Sequence, residues 1–280
     1  MKVSFTWFTK PIIIIFFTIL LSVSYQGLSE YNFYRSDLVV AAPAIANNSY
    51  SSSPFSLSST APSTLLVSNN RYQTTKTFEQ YKPRYAVANI DPSNYGDRYS
   101  TDVNGKALNN QPIAVLHETV GSASSAINTF RTHHSKDSQQ SSYHALITLD
   151  GTIIYLVPSD KRAFGAGNSV FRSQSGIETV QTNPNLPPSV NNFAYHISLE
   201  TPPDGRKKSG NSYHSGYSDR QYKSLAWLLA LSSIPDDRIT THREVDLSGH
   251  RFDPRSFDFD KFFSILHSFR QPSARAVSAQ

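Results

Sequence analysis

Between Tyr81 and Phe269, short apolar runs of strand length alternate with capped segments of helical period, which confines the chain to a layered α/β architecture. Pro112 to Leu116 (PIAVL) has the character of a buried strand ending at His117. Ser122 is placed to cap a helix carrying Ala126, Ile127 and Phe130. Tyr143 to Leu149 and Thr152 to Val157 flank Asp150-Gly151, a tight-hairpin signal because glycine accepts the positive φ such a turn needs. Ala194 to Glu200 (AYHISLE) reads as a further strand. Ser218 caps a helix with Tyr222, Leu225, Ala226 and Leu229 on its apolar face. A last helix, Asp258 to Phe269, is expected to bury Phe262, Phe263, Ile265, Leu266 and Phe269. One hairpin among strands separated by helices predicts a single mixed β-sheet flanked by helices.

The rest of the chain differs in kind. Lys2 and Lys10 accompany the apolar run Ile12 to Val23, long enough for the core of an export signal and short of the roughly 20 residues that span a bilayer. Residues 1–24 are therefore expected to be a signal peptide or N-terminal anchor, and the protein to be exported to a periplasm, cell wall or extracellular space. Residues 25–80, with SSSPFSLSSTAPST at their centre, read as a Ser/Pro/Asn-rich flexible linker. The globular domain is expected over 81–270, followed by a frayed tail at 271–280. Cysteine is absent, so no disulfide supports the fold and no thiolate can bind a metal. The net charge of +5 suits an anionic wall or membrane surface, while the lack of a Lys/Arg run or basic helix argues against nucleic acid.

His117 and His242 each follow a strand-like run, and Asp253 precedes Pro254, where extended backbone is favoured. If the three converge, they supply two nitrogens and one oxygen to a zinc ion, leaving one tetrahedral position for water, as hydrolytic sites do. Glu118 follows His117, but Gly121 stands where the His-Glu-x-x-His zinc motif needs its second histidine, so that motif fails.

IAVLHET, SSYHALITLDGTIIYLVP, AYHISLE, YSDRQYKSLAWL, ITTHREVD and HRFDPRSFDFDKF occur in the order found in zinc-dependent N-acetylmuramoyl-L-alanine amidases of the amidase-2 type, which share their fold with peptidoglycan recognition proteins. The chain resembles that family over about residues 85 to 269. The resemblance implies that His117, His242 and Asp253 are zinc ligands, that Tyr143 faces the metal, and that Glu200 is the acidic residue some branches use as general base, an ordinary edge-strand carboxylate being the alternative. It places Arg251 where many members carry lysine, as a cation for the oxyanion, and Arg255 where a glycine often follows Asp-Pro. It also implies peptidoglycan or muropeptide as substrate. A peptidoglycan-binding module without turnover, or a zinc peptidase acting on stem peptides, are the alternatives. His250 rivals Asp253 as ligand, and the DPRSFD context favours Asp253. Glu118 reads equally as a supporting residue or a charged strand end, and His196, sharing a strand face with Glu200, as mainly structural. His133, His134, His214 and His267 are expected on the surface. The Gly-rich stretch 163–171 and the polar segments 172–192 and 202–216 are candidates for cleft walls. A membrane tether through the N-terminal segment remains open, as does oligomeric state.

Overall fold

Two six-residue runs that are mainly apolar, IAVLHE and AYHISL, pair in parallel at the centre of the sheet, and every residue of both is buried, including His117, Glu118, His196 and Ser198. Parallel strands covered on both sides need such largely apolar character. The computed structural model describes residues 39–41, 71–207 and 212–273. In chain order its first elements are β1 (Val39–Ala41), β2 (Tyr72–Thr74), α1 (Lys76–Gln80), β3 (Tyr85–Val87), β4 (Tyr95–Asp97), β5 (Ile113–Glu118), α2 (Ala123–Arg131), β6 (Ala145–Ile147) and β7 (Ile153–Tyr155). There follow β8 (Lys161–Ala163), β9 (Phe171–Ser173), β10 (Gly176–Glu178), β11 (Ala194–Leu199), α3 (Asp219–Ala230), β12 (Ile239–Thr241), α4 (His242–Val245), α5 (Phe259–Phe269) and β13 (Arg270–Pro272). The main sheet runs β1-β3-β7-β6-β11-β5-β12. The pairs β6–β7 and β1–β3 are antiparallel and the others parallel, so the sheet is mixed, as expected.

Local signals explain the helices. Ser122 accepts from Ser125 N at the start of α2, and Asp258 accepts from Lys261 N at the start of α5. Ser218 and Gln221 form a reciprocal capping box on α3. The α3 residues Tyr222, Leu225 and Leu229 pack with Phe262, Leu266 and Phe269 of α5 against one sheet face, met there by Ala114, Leu116, Ile197 and Leu199. Phe263 and Ile265 lie at the edge of this layer, half-buried, because α5 turns only part of its circumference to the sheet. On the opposite face, Ile127 and Phe130 of α2 pack with Leu146 and Ile154. Gly151, at φ 83°, makes the hairpin turn between β6 and β7, and an added Cβ there would meet Arg220 at 2.9 Å.

The domain begins before the boundary expected at Tyr81. β2 pairs with β13, α1 is capped by Thr75, and Phe78 of α1 stacks on Trp227 at 5.5 Å. Tyr and Phe spaced within a polar stretch supply the docking that the overall composition conceals. For the same reason Arg270–Pro272 belongs to a sheet rather than to a frayed end. The expected export segment 1–24, residues 25–38 and 42–70 of the expected linker and residues 274–280 of the tail lie outside the described residues. Among the described residues, no helix is long and apolar enough to cross a membrane.

Candidate metal centre

Side-chain alternation divides the functional residues between the two sheet faces. In β5, Ala114 and Leu116 point to the α3/α5 layer, so His117 points to the other side with Ile113 and Val115. β11 follows the same rule: Ser198 lies directly beside His117 in register, and His196 shares its face. His242 opens α4 at the end of the neighbouring strand β12, with Thr241 capping that turn through Glu244 N. Asp253 comes from the loop before α5. These segments bring one nitrogen from each histidine and one Asp253 oxygen within 4.8 Å of one another. The two imidazole rings lie 4.6 Å apart.

The atoms fit a cation. His242 Nδ1 lies 3.1 Å from the Asp253 carboxylate. His117 Nδ1 lies 3.3 Å from Asp253 Oδ2, yet is fully buried without a hydrogen-bond partner. Burial pushes the His117 pKa down to about 4, which keeps the ring neutral and its lone pair available. Burial alone would raise the Asp253 pKa, but the two facing imidazoles hold the carboxyl below its usual range, so it is anionic. Two imidazoles and one carboxylate, with no thiolate, suit a divalent ion such as zinc.

His117 Nε2 lies 2.9 Å from His196 Nδ1. A metal on Nδ1 requires the His117 proton to sit on Nε2, from which it donates to His196, so His196 sets both tautomer and ring orientation. His196 is in turn packed against Gly165, where an added Cβ would lie 2.5 Å from its Cγ and Nδ1. Gly165→Ala is therefore expected to push His196 off His117 and weaken zinc binding about 10- to 100-fold, read by competition with a chromogenic chelator. Unchanged affinity would show that His196 does not orient the ligand.

The site opens into a cleft of about 690 Å3 lined by His242, Tyr143, Arg251, Phe164 and Arg162 among others. The Tyr143 ring centroid is 4.7 Å from that of His117, and burial raises the phenol pKa, keeping its proton on. Arg251 stands exposed at the rim. His250 is also exposed, because the turn after α4 wraps its backbone amides around the Asp246 carboxylate and directs that side chain outward. The glycine-rich stretch supplies Phe164, Gly165 and Gly167 to one wall, and Val180 to Asn191 supplies another.

Glu200 departs from expectation. One carboxylate oxygen accepts from Ala123 N, the first residue of α2, and from Arg206 Nη2 at 2.9 Å; the other accepts from Leu149 N at 3.0 Å. It lies past the end of β11, where it caps a helix N-terminus instead of lining the cleft. Strand alternation places it on the correct face, but the α2 amide lies closer than the metal cleft. Glu200→Gln is expected to lower stability by about 1–3 kcal/mol in denaturant melts while turnover of the folded protein stays within about tenfold of native. A drop of a thousandfold with unchanged stability would restore the general-base reading.

Of the two readings of Glu118, the buried contacts favour a supporting residue, with partners that the sequence did not indicate. Glu118 is buried on the α3/α5 face, where it accepts from Arg255 Nε, from Tyr217 Oη at 3.1 Å and from Thr201 Oγ1 at 3.3 Å. The His214 ring, expected at the surface, is fully buried 3.1 Å from the same carboxylate. Arg255 also donates to the Gly205 carbonyl. The described residues 202–207 and 212–216 thus pack behind the site rather than lining the cleft. Only a long-range pairing of Glu with Arg could have signalled this, and spacing alone carries no such information.

A mixed sheet bearing a His-His-Asp cluster beside an open cleft defines a candidate metallohydrolase. The chain belongs to the N-acetylmuramoyl-L-alanine amidase family Amidase_2, whose model matches residues 109–256. That match includes His117, His242 and Asp253. A search of curated proteins finds no match. Among solved structures the chain is similar to a selenomethionine AmpD derivative, with 22% identity, coverage of 64% of this chain and 93% of that one, and a TM-score of 0.44. It is also similar to N-acetylmuramoyl-L-alanine amidase LysC from Clostridium intestinale URNW, at 18% identity over 66% of this chain and 99% of that one, TM-score 0.42. Drosophila peptidoglycan recognition protein SD matches at 14% identity over 57% and 84%, TM-score 0.34. The family assignment rests on the family model and not on these structures.

Proposed function

We propose that the protein is a zinc-dependent N-acetylmuramoyl-L-alanine amidase, hydrolysing the amide between the lactyl group of muramic acid and L-alanine in peptidoglycan. The observation that carries this reading is the convergence of His117, His242 and Asp253 beside a cleft that His242 lines. When bound there, zinc supplies a Lewis acid and an acidified water. His117 and His242 bind it as nitrogen donors, and Asp253 adds the compensating charge. Tyr143, protonated at neutral pH, is placed to donate a hydrogen bond to the oxygen on which charge develops, and the Arg251 guanidinium at the rim adds a cation. Glu200 takes no part in proton transfer. The apolar run at Ile12 to Val23 supports export to the wall where this substrate lies.

Purified protein supplied with zinc should release from muropeptides a peptide with a free L-alanine amino end and leave the muramic acid intact. A chelator should stop the release and added zinc restore it. Fragments cut within the stem would show a peptidase instead. Intact muropeptide retained at every zinc level would show a binding module.

A further inference from the structure

Several cations of the domain pair with a carboxylate, among them Arg84 with Asp150, Lys161 with Asp97, Arg206 with Glu200, Arg238 with Glu178 and Arg270 with Asp236. Arg162 faces none within salt-bridge distance among the described residues, although it lines the cleft that holds His242 and Tyr143. Its Cζ lies 4.9 Å from the centroid of Tyr99 and 5.2 Å from that of Phe164, both of which also line the cleft. Nη1 donates to Thr182 Oγ1, and Nε is buried without a partner. The neighbouring Asp97 carboxylate is taken up by Lys161 Nζ at 2.6 Å.

The local backbone leaves room around this group. Arg162 sits opposite Gly96 in the β4–β8 pair, where an added Cβ would come 3.4 Å from Arg162 Nη2 and 3.3 Å from Phe164. Aromatic rings stabilise a guanidinium through their electron-rich faces but accept no strong in-plane hydrogen bond. The charge is thus held in place and half-desolvated while its in-plane donors lack an anionic acceptor. With Nη1 committed to Thr182 and Nε buried, Nη2 is the donor left for an anion, and a charge-assisted hydrogen bond to a carboxylate oxygen is stronger than one to a neutral acceptor. A peptide running along the cleft from the metal offers such anions in its own carboxylates.

We propose that Arg162, set between Tyr99 and Phe164, forms a subsite for a free carboxylate of the stem peptide. This rests on the amidase reading for the choice of ligand. Binding of L-alanyl-γ-D-glutamyl-L-lysine, with carboxylates free or converted to primary amides, would be measured by calorimetry on the zinc-supplied protein and on Arg162→Gln. This peptide is already released from sugar, so its binding is read whether or not the protein hydrolyses anything. Native protein should prefer the free acid by about 10- to 100-fold, and Arg162→Gln should erase that preference. The preference in kcat/KM for the corresponding N-acetylmuramoyl peptides should fall in parallel. Equal affinity of native protein for acid and amide, no binding of either, or a preference that survives in Arg162→Gln would overturn the subsite. A role limited to anchoring Thr182 would weaken acid and amide alike. Preferential binding without cleavage at any zinc level would instead sink the amidase reading and leave the subsite standing.

Discussion

Asp253→Ala protein is expected to lose hydrolysis by more than about a thousandfold in kcat/KM and to purify without zinc. Asp253 is the only anionic donor of the cluster, and its carboxylate lies 3.1 Å from one histidine nitrogen and 3.3 Å from the other. Two imidazoles alone would have to hold a doubly charged ion with no charge compensation in a site where both histidines are buried. Asp253→Asn, which keeps one oxygen donor and the side-chain volume, should fall between the two in zinc affinity. The loss should come without collapse of the fold, because Asp253 makes its side-chain contacts to the ligand histidines rather than to the sheet core. Zinc content by atomic absorption and hydrolysis of a muropeptide check both halves. A fully loaded, active Asp253→Ala protein would transfer the third ligand to another residue, and the exposed His250 is too turned away to serve without rebuilding its loop.

Glu118→Ala should be the most destabilising single change outside the apolar core, by about 3–5 kcal/mol, or roughly 10 °C in Tm. The carboxylate is buried with Arg255, His214, Tyr217 and Thr201 around it. Removing it takes away the anion that the Arg255 guanidinium faces, in a place where water cannot replace it. The change should also reach the metal. Arg255 lies two residues past Asp253, so its anchor on Glu118 ties the ligand loop to the strand that carries His117. Zinc affinity should fall with stability, although Glu118 touches no ligand atom. A double variant, Glu118→Gln with Arg255→Met, should lose less than the sum of its parts, because the two residues share one interaction. Urea melts of the four proteins measure this. Strict additivity would show that the pair does not couple. Arginine in place of the glycine that often follows Asp-Pro in the family is explained by the same contact: its side chain reaches back to a buried acid.

How much was legible depended on the range of each interaction. The caps at Ser122, Ser218 and Asp258 and the turn at Gly151 are satisfied within a few residues, so local sequence was enough to place α2, α3, α5 and the β6–β7 hairpin. The runs of β5 and β11 exclude water on both faces and announce themselves by composition. The early start of the domain was hidden because α1 has no buried residue of its own and depends on Trp227 and Phe269, contributed by α3 and α5, for its packing.

The amino-acid sequence by itself determined which side chains reach the sheet edge: His117 and His242 end or follow strand runs, and alternation fixes the face each must take. Only the tertiary structure decided what those side chains meet there. His196 lies in β11 and Glu200 just past its end, on one face by alternation, yet Glu200 is captured by the amides of Ala123 and Leu149 while His196 supports His117. The difference lies in where α2 begins in space relative to the end of β11, and so in which partner is nearest to each charge or ring. Hydrogen bonds and ion pairs act over a few ångströms, whereas the residues that make them here lie tens of positions apart along the chain.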